Sequence, residues 1–124
     1  DITEDIIKIS VYKASGVDDV CDYFDNKWSK SAQCTVSGEC WQDFVPKGVD
    51  KGSALKIIQD KFNIEPDFTM CFGDNYNDLT MFERAHFSYA MSTANSEIRA
   101  KARYVTMSVE NILYDVDKMI NFNL

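Results

Sequence analysis

The chain has 124 residues, of which 45% are hydrophobic and 13% aromatic, so it is long enough to bury the core of one domain or of two small ones. Its formal net charge is −7 and no cluster of Lys or Arg occurs, which excludes broad binding to a nucleic-acid backbone. No apolar stretch approaches the about 20 residues of a membrane span, and no signal peptide is present, so we expect no membrane partner. The four cysteines lack metal-type spacing, and reduced thiols of a cytoplasmic protein are the expected state.

The first third of the chain predicts a small α+β unit. Its elements follow from alternating polarity, from helical spacing of apolar residues and from a Ser-Gly-Glu turn: a strand at 6–12, a helix at 17–28 and a hairpin made of segments 33–36 and 40–45. In the strand, Ile7, Ile9 and Val11 share one face. We expect Trp41 and Phe44 to pack between the hairpin and the helix rather than to contact a substrate.

The rest of the sequence predicts an α/β unit after a Pro-Lys-Gly linker at 46–48. Apolar residues at helical spacing predict a helix that begins after an N-cap at Asp50 and stops at Asn63. Beyond it, three strands are each followed by a helix, a pattern that indicates half of a doubly wound, Rossmann-like parallel sheet. The predicted strands are 68–72, 87–91 and 104–107, and the predicted helices begin near residues 77, 95 and 108.

An acidic loop follows the first of these strands. Gly73 ends the strand, and Asp74 and Asp78 are four residues apart, so a partly helical turn brings both carboxylates to one side. Open α/β sheets bind ligands at the carboxyl ends of their strands, and oxygen donors of this kind suit Mg²⁺. An ordinary acidic turn is the alternative, because Asp and Asn favour turns. An EF-hand loop is excluded, since its sixth position would be Leu79 and its twelfth Ala85.

Lys51 lies in the first turn of the helix predicted to follow Asp50. A cation is disfavoured there by about 0.3 to 1 kcal/mol, because the amino end of a helix already carries partial positive charge. An anion bound there would interact favourably with both the lysine and the helix end. Lysine, free backbone amides and a neighbouring Mg²⁺ together therefore predict a phosphate site. The alternative is a solvated surface lysine.

The two motifs together resemble the haloacid dehalogenase superfamily of phosphatases, and most closely its Cof-type branch, which acts on sugar phosphates and related small phosphoesters. The segment 48–52 (Gly-Val-Asp-Lys-Gly) is similar to the family's third motif, and the segment 73–81 (Gly-Asp-Asn-Tyr-Asn-Asp-Leu-Thr-Met) to its fourth. The segments 89–91 and 94–95 also follow the branch's pattern. The resemblance implies hydrolysis of a small phosphorylated metabolite through an aspartyl-phosphate, with Mg²⁺ as cofactor.

The resemblance also implies a role for individual residues of both motifs. Lys51 would hold the phosphate and steady the charge of the nucleophile, and Asp74 would bind Mg²⁺, so both would be catalytic. Asp78 would support the metal or its waters, and Asn77 would contact the phosphoryl group.

The resemblance covers only the C-terminal half of such a protein. Residues 1–46 would be the second half of its cap, which closes over the active site, and residues 47–124 the C-terminal part of its core. The nucleophile motif Asp-x-Asp-Gly-Thr is absent, and the Asp-x-Asp at 115–117 lies in a segment with helical spacing. The chain also begins at Asp1 rather than Met, so we expect a fragment of a longer parent, without turnover of its own, that self-associates through an exposed sheet edge.

A non-catalytic function is the competing class. The chain would then be a module that binds an anion through Lys51 and Asn77, or that assembles with another chain supplying the missing strand. A receiver domain also combines acids, a lysine and Mg²⁺ on a parallel sheet, but a cap-like hairpin has no place in it. The sole histidine, His86, is expected to be a loop or surface residue, because no Ser or Cys nucleophile pattern accompanies it.

Overall fold

A computed structural model describes residues 5–122 of the chain. In chain order its elements are β1 (Ile9–Tyr12), α1 (Asp18–Trp28), β2 (Gln33–Gly38), β3 (Trp41–Val45), α2 (Lys51–Phe62), β4 (Met70–Gly73), α3 (Leu79–Phe82), β5 (Phe87–Met91), α4 (Ser96–Lys101), β6 (Tyr104–Thr106) and α5 (Val109–Phe122). Two short 3₁₀ turns, Pro66–Phe68 and Tyr76–Asp78, precede β4 and α3.

The first three strands form an antiparallel sheet in the order β1-β3-β2. Its apolar face packs on α1, where the rings of Phe24 and Phe44 meet edge to face with centroids 5.4 Å apart. Two predictions were wrong here. The first strand begins at Ile9 rather than at residue 6, and the Ile7 side chain is 82% exposed. Trp41 does not pack under the helix, because its ring lies against Tyr12 on the other face of the sheet and is 45% exposed.

The last three strands form a parallel sheet in the order β4-β5-β6, with helices between them. The predicted half of a doubly wound sheet is confirmed. One face of the sheet carries the core of this unit, which is made of small and apolar side chains: Cys71, Phe82, Ala85, Ala90, Ala94 and Ile98. On the other face, the rings of Phe72, Tyr89 and Tyr104 stack across the strands at centroid distances of 5.2 and 5.1 Å.

The first parallel strand is shorter than predicted. Pro66 starts a 3₁₀ turn that includes Phe68, whose side chain is 83% exposed, and β4 begins only at Met70. Within residues 5–122, β4 has a paired strand on one side only. Self-association through that edge stays a prediction.

The helix α2 begins and ends where predicted, and α5 begins where predicted. Asp50 caps α2, because its carboxylate accepts from the Ser53 backbone at 2.7 Å while its own amide donates to the Ser53 hydroxyl at 2.9 Å. Asn63 ends α2 in the left-handed conformation at φ 53°. The Ser108 hydroxyl accepts from the Asn111 amide at 3.2 Å at the start of α5, which also contains the Asp-x-Asp segment as predicted.

No helix within the described residues 5–122 is both long enough and apolar enough to cross a bilayer.

Candidate active site

The buried side chain of Asp78 organises the loop at the carboxyl end of β4. Asp78 is 2% exposed. Its Oδ2 accepts hydrogen bonds from the backbone amides of Asp74 at 2.8 Å and Asn75 at 3.0 Å, so the loop folds back around its own carboxylate. Gly73 makes this possible, because a Cβ at that position would lie 2.5 Å from the Cβ of Asp78. The Asp78 side chain therefore fills the space that a side chain at position 73 would need.

Lys51 reaches this loop from the first turn of α2. Its ammonium pairs with Oδ1 of Asp78 and donates to Oδ1 of Asn77 at 3.3 Å. The helix end is held in place by Gly52, whose amide donates to the Thr80 hydroxyl at 3.1 Å. A side chain at Gly52 would meet the Thr80 backbone at 2.4 Å, so only glycine permits this approach of α2 to α3. The two motifs thus converge.

Asp74 is placed differently from Asp78, although the sequence suggested that the two carboxylates lie on the same side. The Asp74 side chain is exposed, and no residue in the range 5–122 donates a hydrogen bond to its carboxylate. Only its backbone amide is tied to Asp78. Of the two acids, Asp74 keeps its carboxylate available to solvent, whereas Asp78 turns inward to Lys51.

A cavity of about 380 Å³ opens beside Lys51, between α2, the loop after β4 and the antiparallel sheet. Small-molecule sites start at about this volume. Lys51, Tyr76 and Asn77 line one wall, and the facing wall includes Asp43 from β3. Asp74 is not part of the lining formed by the described residues. The loop after β4 is also bound to the antiparallel sheet, because the Asn75 side-chain amide donates to the backbone carbonyl of Ser37 in β2 at 3.2 Å.

Comparison with known proteins identifies the family. The family model for haloacid dehalogenase-like hydrolase matches residues 1–112, a range that includes both motifs and both sheets. The chain belongs to the haloacid dehalogenase-like hydrolases. The resemblance seen in the two motifs is confirmed.

The chain is 33% identical over 97 residues to 5-amino-6-(5-phospho-D-ribitylamino)uracil phosphatase YwtE of Bacillus subtilis. The aligned region covers 77% of the chain and 34% of that protein. A protein of known crystal structure from Eubacterium rectale is 38% identical in sequence and superposes with a TM-score of 0.67. The match covers 84% of the chain and 40% of the Eubacterium protein. A haloacid dehalogenase-like hydrolase from Bacteroides thetaiotaomicron is 25% identical with a TM-score of 0.69, covering 86% of the chain and 40% of its own. The chain therefore spans well under half the length of these relatives.

The donor set of this haloacid dehalogenase-like chain fits part of a Mg²⁺ site. Mg²⁺ keeps several waters and takes one or two protein carboxylates, and the exposed Asp74 could supply one without losing any protein contact. Asp78 already accepts three hydrogen bonds, and a carboxylate has about four lone-pair positions. Within the described residues, no group of three or more His, Cys, Asp or Glu side chains surrounds a common point suited to a metal. The chain thus offers a partial site.

Sequence reasoning missed several residues that shape this site. Tyr76 lines the cavity, and its hydroxyl donates to the Glu97 carboxylate at 2.8 Å and accepts from the Asn95 amide at 3.1 Å. Asn75 caps the turn that carries Asn77, through a 2.8 Å bond from the Tyr76 amide to its side-chain oxygen. In the sequence, only the similarity of segments 73–81 and 94–95 to the family's pattern indicated that these residues belong to the site. His86 contacts Asp67 at 3.3 Å outside the cavity, which agrees with a surface role.

The ion pair between half-exposed Lys51 and buried Asp78 makes the stability of the fold depend on pH. Burial opposes ionisation of Asp78, but hydrogen bonds from Lys51 and from the amides of Asn75 and Asp74 outweigh it, so the pKa of Asp78 is lowered below its usual 3.8. A lowered pKa in the folded state adds to the free energy of unfolding above the unfolded-state pKa, and that contribution disappears as the pH falls through the folded-state pKa.

We therefore expect Asp78→Asn to be less stable than the unaltered chain at about pH 6, and the difference to narrow at about pH 3. Urea unfolding at both pH values measures this. Asp60→Asn is the matched control, because the Asp60 side chain is 65% exposed in an ion pair on α2, and its effect should be small at either pH. A gap between the unaltered chain and Asp78→Asn that stays constant with pH would contradict the assignment.

Proposed function

We propose that the full-length parent of this chain is a Mg²⁺-dependent phosphatase that hydrolyses phosphomonoesters of small phosphorylated metabolites. The observation that carries the proposal is the convergence of Lys51 with Asn77 and Asp78 at the edge of a cavity at the carboxyl end of β4. The half-exposed ammonium of Lys51 uses two of its three donors on Asp78 and Asn77, which leaves one donor for a bound phosphate. Membership of the haloacid dehalogenase-like hydrolases supports the same reaction class.

Each residue has a role in this proposal. Lys51 binds non-bridging phosphoryl oxygens and stabilises the negative charge on the group in transfer, which is the main contribution in phosphoryl transfer. Asn77 offers its side-chain amide to the same oxygens. Asp78 is a positioning residue, because it holds the Lys51 ammonium and the amides of Asp74 and Asn75 in fixed places.

The covalent steps need the nucleophilic aspartate of an Asp-x-Asp-Gly-Thr motif, which this sequence does not contain. In the parent, an aspartate carboxylate attacks phosphorus, the ester P–O bond breaks, and the leaving alcohol takes a proton from a general acid. Water then hydrolyses the aspartyl-phosphate to inorganic phosphate and restores the carboxylate. The chain by itself should therefore bind phosphate without turning over.

Asp74, supported by Asp78, would hold the Mg²⁺. When bound there, the metal neutralises negative charge on the phosphoryl group and orients it. The exposed, unpaired carboxylate of Asp74 supports this role. The antiparallel unit up to residue 46 would be half of a cap that covers the cavity, and residues from 47 onward part of the catalytic core. The Bacillus relative is named as a phosphatase of a phosphoribityl compound, which supports a small phosphorylated metabolite as substrate.

The test is Asp74→Asn in the full-length parent, assayed on para-nitrophenyl phosphate. We expect a fall in kcat of about 100-fold or more, since the metal supplies several kcal/mol of charge stabilisation. A chelator should abolish turnover of the unaltered protein, and added Mg²⁺ should restore it. Asp67→Asn is the control, because the Asp67 side chain is 80% exposed and lies outside the cavity. Full activity of Asp74→Asn, or turnover that resists the chelator, would contradict the proposal.

A further inference from the structure

Asn75 joins the loop after β4 to the antiparallel unit, which comprises β1, α1, β2 and β3. Its side-chain Nδ2 donates to the backbone carbonyl of Ser37 in β2 at 3.2 Å. Its Oδ1 accepts from the Tyr76 amide at 2.8 Å, and its backbone amide donates to Oδ2 of Asp78 at 3.0 Å. Both ends of this side chain and its backbone are therefore bonded, so a displacement of the Ser37 carbonyl acts directly on the loop.

The acceptor in this bond is provided by a β-bulge in an edge strand. Val36 of β2 pairs with Gln42 of β3. The next pair is Gly38 with Trp41, so Ser37 is an extra residue without a partner in β3. A bulge disrupts the ladder locally and bends the strand. Because β2 lies at the edge of its sheet, the Ser37 carbonyl can accept a hydrogen bond from outside the sheet.

Asp78 connects this bond to Lys51. Its Oδ2 holds the amides of Asn75 and Asp74, and its Oδ1 pairs with the Lys51 ammonium. The Asp78 side chain is almost fully buried, so it has little room to adjust when one of these partners moves. The cavity beside Lys51 lies between the two units, and the contact at Ser37 is thus linked through Asn75 and Asp78 to the order of that site.

Tyr76 gives the loop a second anchor, which lies within the parallel unit. Its hydroxyl donates to the Glu97 carboxylate at 2.8 Å and accepts from the Asn95 amide at 3.1 Å, both at the start of α4. This anchor does not depend on where the antiparallel unit lies. Of the two anchors, the bond from Asn75 is the one that can transmit the position of that unit to the site.

We propose that Asn75 is a positioning residue that couples the placement of the antiparallel unit over the cavity to the Lys51–Asp78 pair; this rests on the proposed function. While Ser37 binds Asn75, the loop is held from both sides and the Lys51 ammonium is fixed in one place for phosphoryl transfer. When that bond is lost, the loop keeps only its anchor at α4, and the fraction of molecules with an ordered site falls. One hydrogen bond between uncharged groups changes such an equilibrium about fivefold.

Hydrogen exchange of the Asp74 amide in the full-length parent tests the coupling without any substrate. That amide donates to the Asp78 carboxylate at 2.8 Å. In Asn75→Ser, the serine hydroxyl still accepts from the Tyr76 amide as a cap does, but it is too short to reach the Ser37 carbonyl. The Asp74 amide should then exchange about fivefold faster, as measured by NMR.

Two controls show whether the change is confined to this loop. The Ser53 amide also donates to an aspartate carboxylate, that of Asp50 at 2.7 Å, and its exchange should stay within about twofold. Asn111→Ser makes the same substitution at an exposed position on α5, outside the cavity, and should leave the exchange of the Asp74 amide unchanged. An unchanged Asp74 rate in Asn75→Ser, or equal acceleration at Asp74 and Ser53, would overturn the coupling.

Turnover of para-nitrophenyl phosphate by the parent shows whether the coupling serves catalysis. Asn75→Ser should lower kcat about fivefold and not raise KM alone, because Lys51 acts on charge that develops during transfer. Deleting Ser37 removes the acceptor from the other side and leaves a regular ladder, with Val36 beside Gly38. In that background Asn75→Ser should add no further loss, because both changes remove the same bond.

The deletion also removes the bond from the Ser37 hydroxyl to Asp43, so the decisive comparison is between the shortened chain with and without Asn75→Ser. Additive losses in that comparison, or a kcat of Asn75→Ser equal to that of the unaltered parent, would overturn the role of Asn75 and leave the phosphatase proposal intact. An unaltered parent without turnover would end the proposed function and this role with it, whatever the exchange rates show.

Discussion

Replacing Lys51 with methionine is expected to lower kcat of the full-length parent on para-nitrophenyl phosphate by about 100- to 1,000-fold, the usual cost of removing one preorganised donor to developing negative charge. Methionine keeps much of the length of the side chain and loses only the charge and its donors. The ammonium of Lys51 pairs with buried Asp78 and borders the cavity, so its position does not depend on the substrate. The effect should therefore appear in kcat and not in KM alone.

Lys56 provides a closely matched control for this measurement. It lies on the same helix, its side chain is 49% exposed as is that of Lys51, and it also pairs with an aspartate, the exposed Asp60. Lys56→Met should leave kcat within about twofold, because exposed pairs of this kind contribute about 0 to 1 kcal/mol. A loss confined to KM in Lys51→Met would mean that the lysine binds substrate and transition state equally, which contradicts the assigned role. A thermal melt monitored by circular dichroism verifies that both variants are folded.

The parts of this site that could be predicted are those fixed by short-range rules. Asp50 caps α2 because its carboxylate reaches an amide three residues away, and this places Lys51 in the first turn whatever the rest of the chain does. A buried strand that ends at a glycine likewise puts the following acids at the carboxyl end of the sheet. The meeting of the two motifs follows from the topology of a parallel α/β unit, and the structure brings Lys51 within 3.3 Å of Asn77.

The parts that could not be predicted depend on tertiary contacts. A spacing of four suggested that Asp74 and Asp78 face the same way, but the Asp78 carboxylate turns inward, because two backbone amides and Lys51 are available there and Gly73 leaves room. The ion pair between Asp43 on the cavity wall and Lys8 was missed for another reason. Asp43 and its partner Lys8 are 35 residues apart, and only the register of the antiparallel sheet brings them together.

The beginning of the first parallel strand shows how one residue shifts a boundary. The run 68–72 is apolar and predicts a strand throughout, yet Pro66 lies two residues upstream and its fixed φ starts a 3₁₀ turn that includes Phe68. The Thr69 amide then donates to the Pro66 carbonyl at 3.0 Å, which delays the ladder to Met70. The end of the strand was predictable and its start was not, because the local turn competes with pairing to β5.

Gly73→Ala is expected to destabilise the chain by about 3 kcal/mol, the sum of overpacking and of a weakened hydrogen bond to a charged group. The added Cβ would lie 2.5 Å from Cβ, 2.6 Å from Cγ and 2.7 Å from Oδ2 of Asp78. Asp78 cannot swing aside cheaply, because it is 2% exposed and bound to Lys51 and to two backbone amides. The midpoint of urea unfolding measures the loss, and the parent enzyme should lose turnover at the same time.

Gly38→Ala tests whether the effect is specific to that approach. Gly38 also ends a strand, but a Cβ there has its nearest neighbour, Cδ1 of Trp41, at 3.8 Å, an ordinary contact. This substitution should change the free energy of unfolding by less than about 1 kcal/mol. If Gly73→Ala costs no more than Gly38→Ala, the loop can move away from β4 without loss. Asp78 would then not be fixed, and Lys51 would lack the rigid partner on which its proposed role in phosphate binding depends.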